Sequence, residues 1–62
     1  MKRSDIKMVA VALEAAAEAI DPAATDTLFG VEMAALAIST FFGLDDPTFN
    51  EVKFMADAGF AS

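Results

Sequence analysis

The chain has 62 residues, 56% of them hydrophobic, with four cations against ten carboxylates, a net charge of −6, and neither cysteine nor histidine. That length allows one domain, which buries only about 60% of the surface its unfolded chain exposes. Without cysteine or histidine it lacks the disulfides and common metal ligands that stabilise small scaffolds, leaving a partner subunit or a heterologous partner as the remaining support.

Charge is unevenly placed. Lys2, Arg3 and Lys7 against Asp5 make the first seven residues net positive by two, whereas from Met8 onward one cation, Lys53, faces nine carboxylates, a net of −8. Phosphate contacts need clustered Lys and Arg, so direct nucleic-acid binding is not expected. Docking onto the basic surface of another protein, such as a groove that holds DNA or RNA, suits the balance better. Met1-Lys2-Arg3 before an apolar run resembles a signal-peptide start, but Asp5, Glu14 and Glu18 interrupt that run.

In chain order, the first helix is expected from about 5 to 20. Ser4 is the candidate N-cap, and no Gly or Pro intervenes before Asp21-Pro22 ends it. Ile6, Val9, Leu13 and Ile20 fall within about 60° of one another at 100° per residue. Lys7, Glu14, Glu18 and Asp21 form the opposite stripe, and alanine sidewalls suit close approach of neighbouring helices. Pro22 to Thr27 reads as a connector, with Asp26 or Thr27 as a cap for the second helix.

The segment Leu28 to Leu44, LFGVEMAALAISTFFGL, holds one ionisable residue, Glu32, and must be covered by the rest of the chain. A helix from about 28 to 42 would place Val31, Ala34, Ile38, Phe41 and Phe42 inward and Glu32 with Ser39 outward, with Gly43 as its C′ residue. As a helix this segment would be roughly 25 Å long, short of a bilayer's ~30 Å core. Acids flank it where spanning helices carry Lys and Arg. The expectation is a cytoplasmic protein with no membrane span; surface association through Met1, Lys2, Arg3, Ile6, Lys7 and Met8 is the lesser alternative.

A third helix is expected from about 48 to 58, started by Asp46 with Pro47 at the first position or by a Thr48–Glu51 capping box. Phe49, Val52, Ala56 and Phe60 form its seam, Asn50, Lys53 and Asp57 its wet stripe, and Gly59 its end. Phe54, outside the seam, and Phe60 are the aromatics left for an interface. Three helices with short connections, and no alternating β-branched run, predict a single all-α domain in an up-down-up bundle.

Catalytic groups are sparse. Ser39 and Thr40 have no base nearby in sequence other than Glu32, whose apolar helix could raise its pKa; the alternative places it on the solvent stripe, titrating normally. Asp21 to Glu32 has the length of an EF-hand loop, with acids at its first and last positions. It departs at Ala23, Thr25 and Asp26, where ligands and a glycine are required. Asp45 and Asp46 are better suited to capping than to holding an ion. No metal or cofactor is expected, and no enzyme activity.

The acidic stripe is the more informative feature. Glu14 and Glu18 form a like-charge i,i+4 pair that costs a few tenths of a kcal/mol, and Asp21, Asp26, Asp45, Asp46, Glu51 and Asp57 add to the acidic surface. Such a face serves either solubility or a basic partner. In size, acidity, helicity and lack of cysteine and catalytic groups, the chain resembles small phage-encoded inhibitors of the anti-CRISPR and anti-restriction type. The resemblance spans the chain in kind, without a shared motif. It implies carboxylates standing in for backbone phosphates on a nucleic-acid-binding partner. The other reading is a homo-oligomeric structural or adaptor protein, built from the alanine-rich sides of the first helix and surplus apolar residues of the second.

Overall fold

Short polar side chains satisfy free backbone groups at two of the three helix starts and in both connections. The computed structural model describes residues 2–60; Met1, grouped above with the basic N-terminal residues, lies outside them. Helix α1 spans Arg3–Glu18, α2 spans Thr25–Asp45 and α3 spans Glu51–Asp57, with no strand among the described residues. The protein is therefore all-α.

Helix α1 starts earlier than Ser4 would allow. Lys2 is the N-cap residue, in extended conformation, and the Asp5 carboxylate reaches back to accept its N–H at 3.2 Å. After α1 the Asp21 carboxylate accepts the Ala23 N–H at 2.9 Å, an Asx turn that carries the chain through Pro22. Helix α2 begins at Thr25, so neither Asp26 nor Thr27 is its cap. Asp26 instead sits in the first turn, where a negative charge suits the helix dipole.

Gly43 does not terminate α2, which continues through it to Asp45 before Asp46 turns extended. The residue before proline avoids the α region, and here that geometry, not glycine, sets the end. Asp46 then accepts the N–H and hydroxyl of Thr48 at 2.9 and 2.7 Å. That Asx turn replaces both starts expected for α3. Its cap is Asn50, whose side chain accepts the Lys53 N–H at 3.0 Å.

Each helix touches both others. Ala10, Phe54 and Ala58 form the buried centre, with Ile6, Val9, Leu13, Ile38, Phe42, Phe49, Met55 and Phe60 packed around it. Phe42, Phe49 and Phe54 close a triangle of tilted and edge-on rings with centroids 5.5 to 5.7 Å apart. Phe54, expected as a leftover, is thus in the core. Val52 and Ala56, expected in the seam, are exposed, Val52 at 81%. Phe49 precedes the helix, so a helical seam counted from it has the wrong phase.

The inward face of α2 is also rotated from expectation. Ala35 and Ser39 are buried and Val31, Ile38 and Phe42 half-buried, while Ala34 and Phe41 are exposed. Ser39, expected outward, is 1% exposed. Both fully buried side chains of α2 are small, and the Ser39 hydroxyl is satisfied by donating to the Leu36 carbonyl at 2.8 Å.

Candidate partner-binding cleft

Glu14 and Glu18 lie on one face of α1, four residues apart, and α2 brings Glu32 to the same cleft. The floor is apolar, formed by Ala17, Leu28, Phe29, Ala58 and Phe60, and the open space is about 630 Å³. In the sequence Glu32 stands apart from the acidic stripe; only the packing of α2 on α1 unites them.

The end of α3 completes the cleft. Gly59 has φ of +87°, the one glycine with positive φ among the described residues. Its N–H donates to the Ala56 carbonyl at 3.0 Å and the Phe60 N–H to the Met55 carbonyl at 2.8 Å. This is the paired pattern of a Schellman cap, which leaves glycine in the left-handed conformation at C′. The reversal returns Phe60 to the core. It also runs the backbone beside Glu14: a Cβ at Gly59 would stand 3.5 Å from Glu14 Cγ and Oε2.

Among the described residues no cation lines this cleft. Two of the four cations are held elsewhere, Lys7 and Lys53 each reaching Asp57, at 3.0 and 3.1 Å. This pairing ties α1 to α3 and matches the Asp57 charge within the molecule, although the sequence reading counted Asp57 with the outward acids. The hydrogen bonds from Lys7 and then Lys53 hold its carboxyl below the usual aspartate value, and those from Thr48 do the same for Asp46. Near the start of α1 a second cleft of about 560 Å³ mixes Arg3, Lys7 and Lys53 with Asp46 and Asp57.

The other expected site residues are dispersed. Asp21 and Asp46 hold Asx turns, Asp26 is in the first turn of α2, and Asp45 lies at the far end of that helix, about 30 Å away at 1.5 Å per residue. Glu51 is exposed in the first turn of α3. Among the described residues no group of three or more His, Cys, Asp or Glu is placed to hold a metal ion. The hydroxyls of Ser39 and Thr40 both donate to the Leu36 carbonyl.

Helix α2 also corrects a length. It has 21 residues, about 31 Å at the usual rise, not the roughly 25 Å of the expected segment, and by length and composition is long and apolar enough to cross a membrane. Comparison with family models, curated proteins and solved structures finds no match to this chain.

Proposed function

We propose that the protein works by binding, without catalysis, and that its cleft receives a lysine- or arginine-bearing segment of a nucleic-acid-binding partner. The supporting observation is three carboxylates, Glu14, Glu18 and Glu32, around an apolar floor with no cation among the described lining residues. A long basic side chain satisfies both parts, its methylenes on Leu28 and Phe60 and its charged head at the rim. Up-down-up packing of the three helices would present this cleft at one end of the bundle, with Asp21 and Asp26 beside it.

Occupying such residues would displace the DNA or RNA they normally hold, the mode implied by the likeness to phage-encoded inhibitors, and would place the protein in the cytoplasm with its target. The test is capture of a partner from host lysate, followed by competition with the partner's nucleic acid at rising salt. Glu14→Lys/Glu18→Lys is expected to abolish capture, and added salt to weaken it. A partner indifferent to both salt and the double substitution would remove the reading.

A further inference from the structure

Helix α2 is apolar on two opposite sides, yet only one of them is covered. At 100° per residue its inward residues, Val31, Ala35, Ile38, Ser39 and Phe42, occupy an arc centred about 180° from Phe29, Met33, Phe41 and Leu44. Those four are exposed at 61, 49, 70 and 77%. Gly30, Ala34, Ala37 and Thr40 lie exposed among them, and Glu32 lines the acidic cleft. The result is an uncharged stripe running the length of the helix between Asp26 and Asp45.

We infer that this stripe is the interface of a homodimer, in which α2 packs antiparallel on α2 of a second copy. Two observations commit it to a second copy. The first is area: at about 200 Å² for a whole side chain of this class, the four large residues expose on the order of 500 Å². With the small residues between them this approaches the ~800 Å² per partner of a stable interface, and it sits at the upper end of the largest patch a monomer usually shows.

The second is self-complementarity. A two-fold axis at Ala37 sets Met33 against Phe41 of the partner subunit and brings Phe29 within one residue of the level of the partner's Leu44, large near large at both ends. Ala37 meets its own copy at the crossing, where a small side chain lets helices approach. The pairing brings Asp45 and Asp46 of the partner beside Phe29, which also lines the acidic cleft, so each cleft gains carboxylates from the other subunit. These acids repel Asp26 and Glu18 across the interface. Salt therefore tightens the dimer, opposite to its effect on capture of a basic partner.

Sedimentation velocity on the full chain, across protein concentration and at low and high salt, tests this. The expected result is a monomer–dimer equilibrium that shifts toward dimer with salt, with Phe41→Lys and Ala37→Lys each raising the dissociation constant at least tenfold. Val52→Lys, on the exposed face of α3, should leave it unchanged. Circular dichroism confirms that the variants fold, since all three positions are exposed. A monomer at every concentration, including one that binds neutral lipid vesicles through the stripe, overturns the inference. So does a dimer insensitive to the two α2 substitutions, or one that salt dissociates.

Discussion

Asp57 accepts two ammonium groups, and its depressed pKa makes it a pH-dependent clamp between α1 and α3. A carboxyl titrating lower in the folded chain than in the unfolded one stabilises fully above the ordinary aspartate value of 3.8, and that contribution disappears as pH falls through the depressed value. Melting temperature is therefore expected to be flat from about pH 7 to about pH 5 and to drop below about pH 4. Asp57→Asn should lower the plateau and flatten the drop, with Asp46 contributing the remainder of the slope. Phe54 offers a contrast at the same scale. Buried between Phe42 and Phe49, its replacement by alanine is expected to cost about 3 to 5 kcal/mol. A domain of this length holds only about 3 to 9 kcal/mol. Val52→Ala, on the exposed side of α3, should change the unfolding free energy measured in urea by no more than about 0.5 kcal/mol.

Among the elements, the two glycines that bear on helix ends behave oppositely. Gly43 lies inside α2, and a Cβ there would meet only Phe49 Cδ2 at an ordinary 4.0 Å. Gly43→Ala is expected to stabilise by about 0.5 to 1 kcal/mol through lower backbone entropy in the unfolded chain. Gly59, at φ +87°, should lose about 1 kcal/mol or more on the same substitution, with Phe60 loosened from the cleft floor. Urea unfolding of both variants checks the pair. These positions also show what was legible beforehand. That Ile6, Val9 and Leu13 face inward could be read from α1, because polar residues on its other side fix the phase. In α2 the contrast is weak, with Glu32 its one charge between Asp26 and Asp45, so the choice of Ala35 and Ser39 for burial depends on neighbours the pattern does not encode. A helix start near Asp46-Pro47 could be read from the sequence, but the Asx turn there moved the start of α3, and with it the identity of the buried ring. Glu14 and Glu18 were readable as an acidic pair; Glu32 joined them only through packing.

The whole molecule measures 36 × 18 × 17 Å, with a long axis close to the length of α2. Its charges are sorted along α1: cations with Asp57 near the start, the carboxylates of the cleft near the end. That sorting gives the molecule a dipole that orients in a partner's field, so a basic partner should meet the cleft end first, with an association rate that falls as ionic strength rises. Stopped-flow association at several salt concentrations would show a slope that Glu18→Gln reduces and Glu51→Gln, on α3, leaves nearly intact.

The Phe42–Phe49–Phe54 triangle joins stretches of chain that are near neighbours in sequence, so its closure asks little loop entropy of the unfolded polypeptide. The carboxy-terminal half should accordingly nucleate, and α1 condense onto it afterwards. Kinetically, Phe49→Leu would then slow refolding, whereas Ala10→Gly would chiefly hasten unfolding.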